Sequence, residues 1–284
     1  MDPLVPLDTV EILFDGTLTT PRLSHPEGLA VAADGAVWCG GENGEIYRIE
    51  PDGSALEVRA STGGFVLGMA FDRDGRLYVC DLYHRAVFRY DPSADELVEF
   101  ARGGMGVEIR IPNWPVVDHD RGVLYVSDSH APDVPGPGVW RFDLATGEGA
   151  LWFDRDLTFA NGMALAPGGE ELYVAETFAR RVVAIPVGAG GEAGEPRLVV
   201  DGIERLPDGL AFDAAGRLYI ACYEPSRLYR YDGQALKLLV DDPEAHTLCH
   251  PTNCAFAGTD LLTSNLGRWH ITRIPLGVEG LPLL

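Results

Sequence analysis

Six copies of one short segment recur along the chain, and this repeat constrains the fold more than any other sequence feature. The copies are EGLAV from Glu27, LGMAF from Leu67, NWPVV from Asn113, NGMAL from Asn161, DGLAF from Asp208 and TNCAF from Thr252. Their starts are separated by 40, 46, 48, 47 and 44 residues. Internal repeats of this length indicate an array of similar supersecondary units rather than one irregular core.

Each repeat contains the signals of four strands. A turn such as DRDG or DAAG follows each segment, and a second, a third and a shorter fourth apolar run come after it. Period-two alternation and Asp-Gly turns are typical of hairpin-connected strands. Four antiparallel strands in about 45 residues, repeated six times, predict an all-β fold, a six-bladed β-propeller. Residues 170–185 contain good helix formers, but their alignment with the other repeats predicts strands.

The two ends of the chain are predicted to meet in one blade. The last repeat has no good fourth strand before the C-terminus, whereas VEILFDG at 10–16 has the pattern of such a strand. We therefore expect this N-terminal strand to pair beside the third strand of the last blade. No linker interrupts the repeats, so a single propeller domain is expected over 1–284.

Charge and composition narrow the class of protein. The chain has 22 Lys and Arg against 43 Asp and Glu, and its formal net charge of −21 argues against nucleic acid or an anionic membrane as partner. No run is apolar enough to span a bilayer, and the N-terminus lacks a basic leader pattern. The five cysteines form no CxxC pair, which favours reduced thiols. We expect a cytoplasmic monomer or dimer that acts on a small-molecule substrate.

The opening positions of the repeats predict a polar ring around the propeller axis. The innermost strand of each blade lines the central channel, so equivalent residues lie at one height. Four of the six positions carry a carboxylate or an amide: Glu27, Asn113, Asn161 and Asp208. Crowded without a cation, these groups would repel one another and be poorly solvated. All-oxygen ligands favour a hard divalent ion, and a wide ring with room for water favours Ca²⁺ over Mg²⁺.

Other interpretations of these residues stay open at this stage. Asn161 and Asp208 each precede a glycine and could be ordinary turn residues, although that does not explain Glu27 and Asn113 in register. The loops at the same end of the channel supply candidate substrate contacts, each of which could equally be an ordinary surface or packing residue: His84, His130, Phe178, Tyr223 and Trp269. Without HExxH, G-x-S-x-G or a phosphate loop, zinc-protease, serine-hydrolase and nucleotide-binding sites have no support.

These motifs resemble one known family. NGMALAPGGEELYVAET, PDGLAFDAAGRLYIACY, HPEGLAV and HPTNCAF are similar to the senescence-marker-protein / gluconolactonase / luciferin-regenerating-enzyme family, and more distantly to diisopropyl fluorophosphatase and the paraoxonases. The resemblance covers about residues 10 to 276. It implies a propeller with one functional divalent cation, usually Ca²⁺ but in some members Zn²⁺, Mn²⁺ or Mg²⁺, and hydrolysis of lactones or organophosphates.

The resemblance also implies roles for individual residues. The glutamate of HPEG is Glu27, the asparagine of ANG is Asn161 and the aspartate of PDG is Asp208, which match metal ligands of the family. The position of Asp208 also matches the family's catalytic acid or base, so we expect a general base there. Asn113 matches a channel asparagine that binds metal in some members and substrate in others.

One stretch departs from the family pattern. Sugar lactonases of the family tend to carry Arg-x-Asn-Asp-Gly at the third blade, with the arginine reaching substrate hydroxyls, whereas this chain has Ile111–Pro115. Arg110 is displaced by one position and would point to the other side of a strand. Trp114 replaces the acid. These differences predict a preference for alkyl or aryl lactones over gluconolactone, with Trp114 contacting substrate.

Three functions remain to be distinguished. The first is a metal-dependent hydrolase of lactones or related ester or organophosphate bonds, in which the cation polarises the carbonyl and Asp208 acts as base. The second is a non-catalytic calcium-binding propeller. The third is a condensing enzyme resembling strictosidine synthase, which does not need the ion, and the four-oxygen ring argues against it.

Overall fold

The computed structural model describes residues 2–132 and 134–282, and within these residues it contains six four-stranded antiparallel sheets, as predicted. Blade 1 contains β2 (Leu29–Val31), β3 (Val37–Gly40), β4 (Glu45–Ile49) and β5 (Leu56–Ser61). Blade 2 contains β6 (Val66–Phe71), β7 (Leu77–Asp81), β8 (Ala86–Asp91) and β9 (Glu96–Ala101). Blade 3 contains β12 (Pro112–Asp118), β13 (Val123–Asp128), β14 (Gly136–Asp143) and β15 (Gly149–Leu157).

The remaining blades repeat this order. Blade 4 contains β16 (Ala160–Leu165), β17 (Glu171–Glu176), β18 (Arg181–Pro186) and β19 (Arg197–Val200). Blade 5 contains β20 (Pro207–Phe212), β21 (Leu218–Cys222), β22 (Arg227–Tyr231) and β23 (Leu236–Asp241). Blade 6 contains β24 (Pro251–Ala257), β25 (Asp260–Asn265), β26 (His270–Pro275) and β1 (Glu11–Asp15). A hairpin of β10 (Gly103–Gly104) and β11 (Val107–Glu108) links blades 2 and 3, and a 3₁₀ turn covers Leu7–Thr9.

Apolar side chains between neighbouring blades form the core. Between blades 3 and 4, for example, Tyr125 and Val139 pack in one buried cluster with Met163 and Val174. Five further clusters lie between the other neighbouring pairs of blades. The helix-prone stretch at 170–185 forms β17 and most of β18, because strand pairing buries its alternate side chains on both faces.

The N-terminal strand closes the ring, as the sequence predicted. β1 pairs antiparallel with β26, the third strand of blade 6, and Asp15 lies opposite His270. Two residues upstream of the 3₁₀ turn reach blade 5 as well, since the backbone N–H of Leu4 donates to Leu238 O at 3.0 Å and that of Val5 donates to Leu239 O at 2.9 Å. The N-terminal segment therefore holds blades 5 and 6 together.

Removing residues 1–16 is expected to abolish the sharp thermal transition of the protein. The deletion exposes the edge of β26, and an exposed strand edge promotes aggregation. Thermal unfolding followed by circular dichroism, with light scattering for aggregation, tests this. Removal of residues 1–3, which ends before the first backbone bond at Leu4, is the control and should leave the transition unchanged. A cooperative transition near the full-length temperature in the longer deletion would contradict the closure.

Candidate metal centre

Four polar residues of the predicted ring lie at one end of the central channel. Asn113, Asn161 and Asp208 are each the second residue of the innermost strand of their blade, and Glu27 precedes β2 by two residues. The side chains are enclosed although they are polar: Asn113, Asn161 and Asp208 are 5–6% exposed. The other two ring positions are Leu67, which packs in the cluster between blades 2 and 3, and Thr252.

Hydroxyl groups orient the two amides of the ring. The Nδ2 of Asn161 donates to Thr177 Oγ1 at 3.1 Å, and this hydroxyl donates to Pro207 O of the next blade at 2.8 Å. The Nδ2 of Asn113 donates in the same way to Ser129 Oγ at 2.9 Å, which donates onward to Ala160 O at 2.7 Å. With the amide nitrogen fixed, the amide oxygen is left for another partner, and Asn161 Oδ1 is enclosed without one among the described residues.

The two carboxylates of the ring destabilise each other. Burial raises the pKa of Glu27, and its Oε2 has no hydrogen-bond partner in the described part of the chain. Burial and the charge of Glu27 raise the pKa of Asp208 well above its usual value, while the Asn161 amide beside it acts in the opposite direction. The backbone at Glu27 is held firmly, since its carbonyl accepts from Thr252 Oγ1 at 2.9 Å and Ser264 Oγ at 2.7 Å.

This arrangement fits a hard divalent cation. The buried Asp208 carboxylate, the enclosed Oε2 of half-buried Glu27 and an orphaned amide oxygen are costly alone, and a bound cation would satisfy their charge and lone pairs. The donors are all oxygens, as Ca²⁺ and Mg²⁺ prefer. Only two of the four ring residues, Glu27 and Asp208, carry carboxylates, and within residues 2–132 and 134–282 no group of three His, Cys, Asp or Glu side chains converges.

Glycines bring the ring residues of neighbouring blades together. The residue after the ring position is glycine in four blades: Gly28, Gly68, Gly162 and Gly209. A Cβ at Gly162 would collide with the carbonyl oxygen of Asp208 in the next blade. The absence of a side chain there lets β16 and β20 approach closely, which places Asn161 beside Asp208.

The predicted histidines are held by other partners. His84 Nδ1 lies 3.1 Å from Asp81 Oδ1, and its ring packs edge-on against Phe88. His130 accepts from Arg110 Nη1 at 2.8 Å through its Nε2. A third histidine, His270 of β26, is 2% exposed with its Nε2 2.7 Å from Thr247 O, and burial lowers its pKa. None of these contacts involves Glu27, Asn113, Asn161 or Asp208.

The predicted aromatic residues lie in loops at the same end of the channel and pack against other side chains there. Burial raises the pKa of Tyr223 and the charge of Glu27 adds to the shift, while its ring packs against that of His250 with centroids 4.9 Å apart. Phe178 is 45% exposed and packs edge-on against Phe159 with centroids 4.9 Å apart. Trp269 lies under the Arg22 guanidinium, 3.7 Å from the ring centroid.

The interpretation of the 110–115 stretch needs correction. Arg110 is not in a strand: it lies in the loop before β12, and its guanidinium reaches His130 at the same end as the ring. Trp114 lines a cavity at the opposite end of the channel, where its indole is 7% exposed beside Met163. Trp114 therefore gives no support for an apolar substrate at the ring.

Three contributors to this end of the channel were missed by sequence reasoning. Ser129 and Thr177 each follow a second strand, and both lie 16 residues after the asparagine they hold, which is a signal the sequence contains. The third is Glu42, whose carboxylate accepts from Ser24 Oγ at 2.8 Å and pairs with the Nδ1 of His25. No short motif identifies that pair.

Comparison with known proteins identifies the family. The model of the SMP-30/Gluconolactonase/LRE-like region matches residues 68–264, and the chain belongs to this family. A second model, described as Strictosidine synthase-like, N-terminal, matches residues 17–49. Among the described residues, no helix has the length and apolar character needed to cross a membrane.

Individual relatives carry different names. The 6-deoxy-6-sulfogluconolactonase of Pseudomonas putida is 33% identical over 239 residues, which cover 78% of this chain and 74% of that protein. Protein STRICTOSIDINE SYNTHASE-LIKE 6 of Arabidopsis thaliana is 29% identical over 70% of this chain, which spans 56% of its length. A solved calcium-binding protein, regucalcin, from Agrobacterium tumefaciens shares the fold with a TM-score of 0.75 and 18% identity over 99% of this chain and 98% of that one.

Proposed function

We propose that this protein is a divalent-cation-dependent hydrolase of lactones or related ester bonds. The observation that carries the proposal is the ring of Glu27, Asn113, Asn161 and Asp208, with its enclosed and unpartnered oxygens. The family and the sulfogluconolactonase relative support a lactone as the substrate class. The likeness to the calcium-binding regucalcin of Agrobacterium tumefaciens supports Ca²⁺ as the ion, although Zn²⁺, Mn²⁺ or Mg²⁺ would meet the same oxygens.

The chain's own residues supply binding and proton transfer. Glu27, Asn113, Asn161 and Asp208 would hold the ion, which when bound supplies Lewis-acid polarisation of a carbonyl oxygen. The Asp208 carboxylate accepts the proton of the attacking water, because it is enclosed and close to the other ring oxygens. The phenol of Tyr223 forms part of the wall around the substrate, while Phe178 lies at the exposed rim.

A lactone panel tests the proposal. The full-length protein with calcium is assayed for proton release from gluconolactone, from alkyl and aryl γ- and δ-lactones and from phenyl esters. Turnover of at least one lactone or ester supports the proposal, and faster turnover of a lactone than of any ester would identify lactones as the preferred substrate class. Calcium binding without turnover of any compound would favour the non-catalytic propeller instead.

A second candidate is a condensing enzyme resembling strictosidine synthase. The matches at residues 17–49 and to the Arabidopsis protein favour it. It differs from the hydrolase in needing no cation, so it leaves the repulsion between the carboxylates of Glu27 and Asp208 without a compensating charge. Condensation of an amine with an aldehyde would support this candidate over the hydrolase if the activity continues after divalent ions have been chelated.

Replacing Thr177 with valine is expected to weaken calcium affinity about 10- to 100-fold, the effect of losing a group that orients a metal ligand. The substitution keeps the shape of the side chain but removes the hydroxyl that fixes Asn161 Nδ2. Calorimetric titration with calcium measures the change. Thr263→Val is the matched control, since this buried threonine pairs with Thr272 away from the ring and should leave the affinity unchanged. Equal affinity in Thr177→Val and wild type would contradict the orienting role.

A further inference from the structure

A large cavity opens at the end of the channel opposite to the ring. Its volume is about 1200 Å³. The innermost strands create it because they carry small residues three positions after the ring residue: Ala30, Ala70, Val116, Ala164, Ala211 and Ala255. Small inward-facing side chains at one height leave the channel unfilled there, which is how a barrel-like interior comes to hold a ligand.

The axial part of this cavity is apolar. Met69, Met163 and Leu210 line it together with the small residues, and Trp114 and Cys254 lie on its wall. These side chains belong to the inter-blade clusters, so their positions are fixed by core packing. A preformed apolar cavity of this size suits the hydrocarbon part of a small molecule.

The cavity extends between blades 1 and 2, where one buried hydrogen-bond donor lacks an acceptor and a nearby arginine is only loosely paired. Trp38 is 3% exposed, lines the cavity, and its Nε1–H has no partner among the described residues. The guanidinium of Arg59 lies 5.9 Å from the Trp38 ring centroid, and its nearest carboxylate, Glu57, is 3.9 Å away. Arg73, in the turn after β6 of blade 2, also lines the cavity and lies 3.6 Å from Asp120 of blade 3. A buried donor without an acceptor is costly, which points to an absent acceptor.

The carboxylates on the same wall are already occupied. Asp34 accepts from Arg48 Nη2 at 3.1 Å, and Asp72 accepts from Arg76 Nε at 2.7 Å and from Tyr78 OH at 3.3 Å. Glu279 lies across the cavity, where its backbone carbonyl accepts from the Ala214 N–H of blade 5 and its side chain is exposed to solvent. The wall between blades 1 and 2 thus offers loosely paired cations beside an apolar channel.

We infer that this cavity is a second binding site, which takes an apolar carboxylic acid such as a medium-chain fatty acid. The carboxylate is bound by Arg59, Arg73 and the Trp38 N–H, and the hydrocarbon chain extends along the axial channel past Ala164 and Ala211. Guanidinium groups suit a carboxylate because they donate two parallel hydrogen bonds. The site lies at the other end of the propeller from the ring, so it does not depend on the proposed hydrolase activity.

Calorimetric titration with decanoate tests the inference on the full-length, calcium-loaded protein after removal of excess calcium. We expect one decanoate per chain, bound at least tenfold more tightly than decyltrimethylammonium, which has the opposite charge. Affinity should rise about three- to fourfold for each methylene from octanoate to dodecanoate, as burial of a hydrocarbon chain predicts. Weak or absent binding of decanoate, tighter binding of the cation, or an affinity independent of chain length would overturn the inference.

Variants locate the site. Arg59→Met should weaken decanoate binding at least tenfold, and Ala164→Phe, which fills the axial channel, should weaken it similarly. Arg89→Met is the matched control, because Arg89 also lies 5.9 Å from an aromatic centroid, that of Phe100, but does not line the cavity.

Asp208→Asn should bind decanoate as wild type does, which separates this site from the ring. If Arg59→Met does not fold, Arg73→Met replaces it, since Arg73 is 53% exposed. Unchanged affinity in the folded arginine variant contradicts the assignment.

Discussion

Replacing Asp208 with asparagine is expected to lower turnover of the best lactone about 10²- to 10⁴-fold while the protein stays folded. The substitution keeps an oxygen in the ring, so weak cation binding should persist. It removes the carboxylate that accepts the proton from water and one of the two charges that hold the ion. Steady-state kinetics, with thermal unfolding as a check of the fold, measure both effects.

Histidine variants are the controls for this role. His84 is bound to Asp81, and His130 is bound to Arg110, and neither contacts a ring residue. His84→Ala and His130→Ala should therefore change turnover far less than Asp208→Asn. An inactive histidine variant together with an active Asp208→Asn would assign the general base to that histidine, even if the metal site is correct.

Replacing Glu27 with glutamine is expected to remove most of the stabilisation by calcium and to stabilise the ion-free protein. A cation that binds only the folded protein, at 100 times its dissociation constant, adds about 2.7 kcal/mol to the free energy of unfolding, or about 5 °C or more in melting temperature. Glu27→Gln should lose most of this gain. Without calcium, however, the variant should melt about 2–5 °C above wild type, because it removes a buried charge that repels Asp208.

The matched control is a carboxylate at the same end of the propeller. Glu224 is 54% exposed and pairs with His250 at 2.8 Å. Glu224→Gln should keep the stabilisation by calcium and leave the ion-free melting temperature unchanged. A Glu27→Gln variant that still gains the full stabilisation, or that melts well below wild type without calcium, would show that this pair is not the cation site.

The repeat made the fold predictable to the level of individual blades. Strand number, strand order and closure by the N-terminal strand all followed from aligning the six copies. The alignment also correctly predicted strands at 170–185, where the local propensity favours a helix. Pairing between strands decides such stretches, because it buries both faces of β17. The repeat also placed Glu27, Asn113, Asn161 and Asp208 at one height, since rotation about the axis relates equivalent positions.

Side-chain direction was less predictable because the innermost strands are irregular. The pairing of β12 with β13 shifts register between Pro112 and Pro115, and β16 and β20 shift at the equivalent place. Simple alternation fails across such a bulge. Trp114 therefore faces the far cavity although Asn113 is in the ring, and Arg110 lies before the strand rather than in it. The hydroxyls of Ser129 and Thr177 were missed because strand pairing, rather than a local motif, brings them to the asparagines.

Metal analysis of the purified protein, with lactone turnover before and after chelation, tests the central claim most directly. The account predicts about one tightly bound divalent ion per chain, loss of that ion and of turnover with a chelator, and recovery of both on adding calcium. The same treatment of Glu27→Gln should show little metal and little turnover at any stage. Full turnover by protein that contains no divalent ion would contradict the account.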